Sequence, residues 1–504
     1  MVGRFFNKVS EMHDKYGPIV RIKPNEVHIR DPAYYEVLYS NNQKIERDPW
    51  FYGFLPGNSV LRTIPSDLYR VRRSALSKLF STSSMDKVEP LIQDKVRKLL
   101  DRLDTSCKTG EKVDLAVAFR AVAMDISGAY AFPNFQGYLD KPDIGEGMQK
   151  SHTAGTTLMH WKRHAAWIHS ILRRLPVLLN PAWDSARLHN EDIQEHYRRL
   201  ATEAAKLTQH TPTKTHEIIN LTILEALHVS PLLPEHERAP SRVLAEASAL
   251  LGAGVDAPAN TMTEIVYRAL RNPSILQKLR AELKSLQPPP TSSSRKDSFH
   301  EIGSSVTSER TTTLVPSRTL FDLPYLQACI KESLRHNPAV LSRMPRINPA
   351  ESMTYTTPSS LSPGQQQLQE QKTYVLPPGT VISMSLADSL FCPSAFAPDP
   401  HVFRPERWLD DGADANFTVS PEQRKRMEKA FVPFSKGAKM CIGHELAKRE
   451  IALVLGNFFR TFDVELDEGV CEKDVGVAYA RDFFGPLVEN GRGAVWVRLK
   501  RAMD

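Results

Sequence analysis

The sequence predicts a mainly α-helical domain with a small amount of β-structure. Most segments between prolines repeat their apolar residues every three or four positions, the alternating segments are few and short, and no linker divides the 504 residues. We therefore expect one domain over residues 1–504, although length alone would allow about three domains of roughly 150 residues each.

The composition is typical of a globular protein. Apolar residues make up 41% of the chain and charged residues 24%, and 65 Lys and Arg face 58 Asp and Glu. This small, dispersed positive excess gives no reason to expect nucleic-acid binding. The five cysteines are widely spaced and include no C-x-x-C pair, which argues against a disulfide framework and favours a reducing compartment.

Short strands are expected near the N-terminus and in the C-terminal half. PIVRIKPNEVHIRDP (18–32) alternates apolar and polar residues on both sides of KPNE, which predicts a β-hairpin. TYVLPPGTVISMS (373–385) and GAVWVRL (493–499) are further strand-like pieces.

Helices account for most of the remaining chain. Asp31 and Pro32 predict the cap and first turn of a helix over 31–40. Residues 241–271 are predicted to form one long helix that ends at an Asn-Pro pair. Further helices are predicted at 88–103, 189–207, 274–286 and 323–338.

Two segments interrupt these patterns. Residues 287–318 and 357–372 are rich in Ser, Thr, Pro or Gln and poor in large apolar side chains. Both are predicted to be surface insertions.

A lone cysteine, Cys441, lies in FVPFSKGAKMCIGHELAKRE (431–450). Most lone cysteines are small buried apolar residues, and this one has no second ligand pair at the spacing of a structural zinc site. However, Phe434, Gly437 and Gly443 surround it as F-x-x-G-x-x-x-C-x-G, so a tight loop can aim its N–H groups at the sulfur.

The charges around this loop favour a thiolate. A helix follows Cys441 at once and brings its positive end close, and Lys436 and Lys439 add cations. An unpaired thiolate on a loop suits a haem iron, because the macrocycle supplies the in-plane ligands.

The cysteine segment resembles the signature of the cytochromes P-450, and every signature position holds an allowed residue. KESLRHNP carries Glu332 and Arg335 as E-x-x-R, which places both side chains on one helix face, and FRPERWLD carries Arg407. An isolated E-x-x-R is more often a solvated pair, but the resemblance implies that these three residues form a buried network behind the cysteine loop.

The resemblance runs from YGPIVRI to VWVRLK, and its style is closest to fungal enzymes of secondary metabolism such as those resembling trichodiene oxygenase. It implies that Cys441 is the axial ligand of haem b, and that Phe434 and Gly443 contact the haem. It also implies propionate partners at Tyr69, Arg73, Arg346 and Lys439. Any one of these cations could be a solvated surface charge, and Tyr69 and Lys439 could equally be solvated surface residues; the convergence of all four on one dianionic edge favours the functional interpretation.

The implied activity is that of a haem-thiolate monooxygenase. One oxygen atom of O2 enters an apolar organic substrate, in terpenoid or polyketide biosynthesis, and the other leaves as water. Electrons would come from NADPH through NADPH–cytochrome P-450 reductase, docked on the basic face near Lys436. The alternatives are a haem-binding relative with degraded or non-oxygenase activity and, less favoured, a purely structural helical protein.

The oxygen side of the site is expected at GAGVD, where Ala253 and Gly254 leave room beside the acid Asp256. The family pattern continues with Thr, whose hydroxyl takes part in proton delivery, but this chain has Ala257 and Pro258. Pro258 should kink the helix and free the carbonyl of Gly254, and we hypothesise that water or a substrate hydroxyl replaces the missing side chain.

The resemblance also implies a location at the cytosolic face of the endoplasmic reticulum membrane. No uninterrupted apolar window is long enough for a membrane-spanning helix, and the first residues are too polar for a secretory signal. The chain is thus expected to begin just past the position of a family anchor, with membrane association still open.

Overall fold

The computed structural model describes residues 3–41, 44–53, 55, 57–147, 163–164, 198, 202, 222–286, 313–358, 371–409, 417–475, 480–483, 485–487 and 494–502. Helices dominate these residues, as the sequence predicts. The helices are α1 (Phe5–Tyr16), α2 (Tyr35–Leu38), α3 (Pro49–Tyr52), α4 (Ser66–Leu79), α5 (Thr82–Thr109), α6 (Leu115–Ala131), α7 (Ile223–His228), α8 (Pro240–Ala253), α9 (Asp256–Arg271), α10 (Pro273–Lys284), α11 (Ser317–Phe321), α12 (Pro324–His336), α13 (Leu386–Leu390), α14 (Pro393–Phe396), α15 (Pro421–Ala430) and α16 (His444–Thr461).

The β-structure is split into small sheets. The strands are β1 (Ile19–Lys23), β2 (Glu26–Ile29), β3 (Glu46–Arg47), β4 (Val113–Asp114), β5 (Arg346–Ile347), β6 (Met353–Thr356), β7 (Thr373–Leu376), β8 (Val381–Ser383), β9 (Phe462–Leu466), β10 (Arg481–Phe483), β11 (Gly485–Leu487) and β12 (Trp496–Arg501). Within the described chain, one sheet has the order β1-β2-β8-β5-β3, a second has the order β4-β12-β9, and two hairpins pair β6 with β7 and β10 with β11.

The predicted N-terminal hairpin is confirmed. β1 and β2 are antiparallel, with Ile19 opposite Ile29 and Val20 opposite His28. β2 then pairs in parallel with β8, so the second half of the predicted segment 373–385 belongs to this sheet, whereas its first half, β7, pairs with β6. This sheet brings β3 and β5 together, and those two strands carry the arginines of the site.

The main hydrophobic core lies among the helices. α9 and α16 are apolar on most of their faces and pack between α5, α6 and α12, with Phe458 and Ile265 fully or almost fully buried. A second cluster lies under the N-terminal sheet and includes Ile29, Tyr35 and Ile382. The cysteine loop and the arginines of β3 and β5 are therefore supported by two closely packed hydrophobic clusters.

The prediction of one helix over 241–271 is wrong. α8 ends at Ala253 and α9 begins at Asp256, with Gly254 and Val255 in a turn between them. Pro258 explains the position of the break, because it lies in the first turn of α9, where a missing N–H costs no helical hydrogen bond.

Two predicted boundaries are also wrong. The insertion 287–318 was predicted too long, because Leu314, Val315 and Ser317 are buried against the core and Ser317 begins α11. The helix over 31–40 shortens to Tyr35–Leu38. Asp31 does cap a turn, since its carboxylate accepts the N–H of Ala33, but the turn before Tyr35 is not α-helical.

Two further predictions fall mostly outside the described residues. Only residues 198 and 202 of the predicted helix 189–207 are described, and residues 359–370 of the second insertion are not. The ends of that insertion meet across the β6–β7 hairpin, where Thr357 N donates to the Lys372 carbonyl at 3.0 Å. No helix in the described ranges has the length and apolarity needed to cross a bilayer.

Candidate functional site

The backbone of the cysteine loop requires glycine at position 437. Gly437 has φ of +71°, and a Cβ there would lie 2.2 Å from the Tyr39 carbonyl oxygen. The loop then closes when Cys441 N donates to the Phe434 carbonyl at 2.9 Å. His444 begins α16, and its Nδ1 lies 3.0 Å from the Cys441 carbonyl oxygen. The glycine pattern therefore serves to press this loop against the chain before β3.

Cys441 as a residue has solvent-accessible surface, although many protein atoms lie around its thiol. Burial raises the pKa of its thiol, opposed by the Gly443 N–H and by the charge of Arg73. The expected N–H group is thus present, but the cation is Arg73 rather than Lys436, which pairs with Glu36, or Lys439, which binds the Ile45 carbonyl, and burial outweighs both effects. A bound metal cation would reverse this balance, because coordination deprotonates a thiol outright.

Three cations converge beside this loop, and we call Arg47, Arg346 and Lys439 the cationic cluster. Lys439 Nζ donates to the Ile45 carbonyl at 2.7 Å and lies 5.1 Å from the centre of the Tyr69 ring. The Arg47 guanidinium is 4.8 Å from the same ring.

Tyrosines hold the cluster in place. Tyr69 donates its hydroxyl hydrogen to the Ala438 carbonyl at 3.2 Å. Arg346 donates to the Tyr52 hydroxyl oxygen at 2.9 Å and lies 4.9 Å from the Tyr39 ring. The guanidiniums are thereby fixed by neutral groups, through hydrogen bonds and cation–π contacts, rather than by carboxylates.

The cationic cluster carries an excess of positive charge. Within the described part of the chain, no carboxylate lies at ion-pairing distance from any member of the cluster, and Glu46 acts on Lys439 only through space. Burial, and then the charges of Arg346 and Arg47, lower the pKa of Lys439 to about 8. Buried cations without counter-ions fit a dianionic ligand edge, so this donor set suits the two propionates of a haem whose iron meets Cys441.

The structure thus brings Tyr69, Arg346 and Lys439 together, as the sequence predicted, and adds Arg47. Arg73 lies one turn after Tyr69 on α4, and its positive charge lowers the pKa of the Cys441 thiol. Sequence reasoning missed Arg47 because it belongs to no motif, and only the pairing of β3 with β5 places it beside Arg346.

Glu332, Arg335 and Arg407 also meet, and none has any exposed surface. Glu332 accepts from Arg335 Nη2 at 2.8 Å and from Arg407 Nε at 3.0 Å. It further accepts from Arg404 N at 2.8 Å and Trp408 Nε1 at 2.9 Å. These hydrogen bonds, with those of the two arginines to main-chain carbonyls, join α12 to the chain that leads into the cysteine loop.

The end of α8 presents small residues. Gly252 and Ala253 are exposed, and a Cβ on Gly252 would meet no atom of the described residues within 4 Å. Gly254 differs, because a Cβ there would lie 2.3 Å from Ser127 Oγ. Open space at this face therefore borders Gly252 and Ala253, whereas Gly254 makes room for α6.

The carbonyl that Pro258 leaves without a helical partner is satisfied by a side chain. Ser127 Oγ donates to the Gly254 carbonyl at 3.3 Å. Asp256, partly exposed, accepts from Arg120 Nε at 3.2 Å. Arg120 also donates to Asn260 Oδ1 at 2.9 Å, so the acid is tied to α6.

Comparison with known proteins gives one consistent result. The family model described as Cytochrome P450 matches residues 2–477. The chain is 31% identical to tryptophan 6-hydroxylase fscE of Fusarium equiseti, over 96% of this chain and 84% of that protein. It is 30% identical to cytochrome P450 monooxygenase TRI4 of Trichoderma arundinaceum, over 95% and 83% respectively.

A solved structure described as retinoic acid bound cyanobacterial CYP120A1 shares the fold. The TM-score is 0.65 at 17% sequence identity, with 98% of this chain and 94% of that chain covered. The mainly helical architecture with small sheets is thus that of a known fold.

Proposed function

Because this chain belongs to the cytochrome P450 family, we propose that Cys441 is the axial ligand through which it acts as a haem-thiolate monooxygenase. The family and its fungal relatives establish the class of reaction, an oxygen-incorporating oxidation in secondary metabolism. The observation that carries the residue assignment is the cationic cluster. Among the described residues, no carboxylate pairs with this cluster, and it lies beside the loop that carries Cys441.

The residues divide into four roles. Cys441 would hold the iron, and bound haem b would supply activation of O2. Tyr69, Arg73 and the cationic cluster would hold the propionates. Phe434 and Gly443 would line the haem beside the cysteine. Glu332, Arg335 and Arg407 would fix the approach to the loop.

The opposite side of the haem would belong to α8 and α9. Gly252 and Ala253 would leave space for O2 and substrate, with Gly254 set back towards α6. Asp256 would take part in proton movement, held by Arg120, since Ala257 has no hydroxyl to offer. The missing hydroxyl would be replaced by water or by a hydroxyl of the substrate.

We propose NADPH as the electron source, delivered by NADPH–cytochrome P-450 reductase at the endoplasmic reticulum membrane. The substrate would be an apolar organic molecule of a terpenoid or polyketide pathway. Two relatives, named as 6-hydroxylases of tryptophan and N-acetyltryptophan, add aromatic amino-acid derivatives to the compounds worth testing.

The function is tested by incubating the protein with NADPH, a fungal reductase, ¹⁸O2 and extracts that contain the intermediates of the pathway. The proposal expects one ¹⁸O atom in a product that requires all three. Haem binding without NADPH-dependent incorporation would favour the alternative of a haem protein without oxygenase activity. Ala257→Thr should raise product formed per NADPH most for a substrate analogue that lacks a hydroxyl.

A further inference from the structure

The segment 57–63, GNSVLRT, is held by buried charges from several elements, and we call it the clamped segment. The main-chain N–H and carbonyl of Val60 both form hydrogen bonds with buried charged side chains. Val60 N donates to both carboxylate oxygens of Glu246 on α8, at 3.2 and 3.0 Å. The Val60 carbonyl accepts from Arg47 Nη1 on β3 at 3.1 Å.

A second arginine grips the side chains on either side of Val60. Arg72 Nη1 donates to Asn58 Oδ1 at 2.9 Å and to Thr63 Oγ1 at 2.7 Å. The rest of the Arg72 guanidinium binds both oxygens of Glu237, at 2.7 and 2.8 Å.

Arg242 completes a ring of charges. It binds Glu237 at 2.9 Å and Glu246 at 2.7 Å. The four ion-paired residues are buried, and so is Arg47, which binds a main-chain carbonyl; the exposed fractions are Arg47 6%, Arg72 3%, Glu237 5%, Arg242 7% and Glu246 1%. Backbone contact is equally close, because a Cβ on Gly57, whose φ is +70°, would lie 3.0 Å from Ala245 Cβ.

This arrangement is unusual for a connecting loop, which is normally a mobile part of a fold. Burying each ion costs several kcal/mol unless its partners are well placed, so stability alone is a weak reason for the ring. The position of the clamped segment suggests a better reason for the ring. The clamped segment joins Arg47 of the cationic cluster to Glu246, seven residues and about 10 Å along α8 before Ala253.

We propose that Glu246 is a positioning residue that fixes the clamped segment against α8, and that the segment thereby limits the size of the molecule admitted beside the haem. The inference rests on the proposed function, because it needs a substrate space between the cationic cluster and α8. Glu246 touches neither haem nor substrate and acts only through the main chain of Val60.

The first test is amide hydrogen exchange in the purified protein. The Val60 amide should be strongly protected in the wild type and should exchange about tenfold faster in Glu246→Gln, which keeps one acceptor oxygen but loses the charge. Asp125→Asn is the matched control. Asp125 is 1% exposed and accepts from Tyr138 and Leu139 amides of another loop.

The second test uses azoles that bind the haem iron and report through its absorbance. In Glu246→Gln, affinity for imidazole should be unchanged, whereas affinity for the bulky clotrimazole should rise about tenfold, because the released segment no longer limits size. Asp125→Asn should alter neither azole. Thr63→Val keeps all the charges of the ring, removes one Arg72 contact, and should show the same pattern more weakly.

Equal changes for both azoles, or a clotrimazole affinity that stays the same or falls, would overturn the proposal. So would a Val60 amide that exchanges freely in the wild type. A wild-type protein without any haem spectrum would instead overturn the proposed function, and the exchange data would still decide whether the clamp exists. If Glu246→Gln fails to fold, the azole affinities of Thr63→Val and the wild-type amide exchange test the proposal instead.

Discussion

At Glu332, hydrogen bonds from two arginines, a main-chain amide and a tryptophan converge on one carboxylate without exposed surface. Replacing it by alanine would leave Arg335 and Arg407 buried without a counter-ion. We expect Glu332→Ala to lower the free energy of unfolding by about 3–5 kcal/mol, measured by urea denaturation of the haem-free protein.

The matched control is Glu11→Ala, which removes an exposed partner of Lys8. This variant should leave the urea midpoint unchanged, because exposed pairs contribute little. If both variants lose the same stability, Glu332 is not the centre of a buried network.

Glu450 supplies a pH test on the helix that follows the cysteine loop. Burial raises the pKa of this carboxyl to about 8, and its Oε1 has no hydrogen-bond partner within the described chain. Between its ordinary 4.5 and about 8, the folded chain holds a proton that the unfolded chain has lost. Stability should therefore fall as pH rises through this window.

Glu450→Gln should remove that slope, so the variant should gain Tm relative to the wild type as the pH rises from 5 towards 8. Scanning calorimetry of both proteins across this range is the measurement. Parallel Tm curves would show that Glu450 is ionised in the folded chain.

At this scale, sequence motifs predicted which residues meet but not all of their partners. Glu332, Arg335 and Arg407 are found together because E-x-x-R and FRPERW are local patterns with a fixed spacing. Arg47 could not be predicted, since its place beside Arg346 depends on strand pairing between residues about 300 positions apart.

The break between α8 and α9 is the element-scale feature that periodicity could not predict. Apolar spacing continues across residues 241–271, so pattern alone favours one helix. The break follows from two particulars, Pro258 in the first turn of α9 and Ser127 of α6 against the Gly254 carbonyl. Proline was a visible signal, but the contact with α6 was not.

Alanine substitutions at Gly252 and Gly254 should have opposite effects on the free energy of unfolding. Gly254 has an ordinary φ of −85°, so lack of space, chiefly against Ser127 Oγ, is the reason for glycine here. Gly254→Ala should cost about 1–3 kcal/mol of unfolding free energy in urea titrations. Gly252→Ala meets no atom and should gain up to about 1 kcal/mol from helix propensity.

Ser127→Ala provides the control, because it removes the oxygen that Gly254→Ala would strike. The double variant should recover part of the lost stability. Equal losses for the two glycine variants, with no recovery in the double variant, would contradict the contact between α6 and the break.

On the scale of the whole molecule, charge near the cysteine loop bears on electron delivery. Residues 421–450 include eight Lys or Arg and four Glu. The structure qualifies the role of Lys436, because Glu36 accepts from it at 2.8 Å. Lys429 is half exposed, 3.9 Å from Glu36, and is the better candidate for contact with an acidic reductase face.

Lys429→Glu should slow reduction of the haem by the reductase and weaken its dependence on ionic strength, without changing azole affinity. Stopped-flow reduction over a salt series measures this. Lys8→Glu, on α1, reverses an equal charge elsewhere and should have little effect. Identical rates for all three proteins would rule out docking at Lys429.

The central claim is that the Cys441 sulfur binds haem iron, and the carbon monoxide difference spectrum of the reduced protein tests it most directly. The wild type and Cys471→Ala, which removes another exposed cysteine, should both show the red-shifted Soret band of thiolate ligation. Cys441→Ala should lose that band while keeping its helical circular dichroism. A thiolate band that persists in Cys441→Ala would contradict the account.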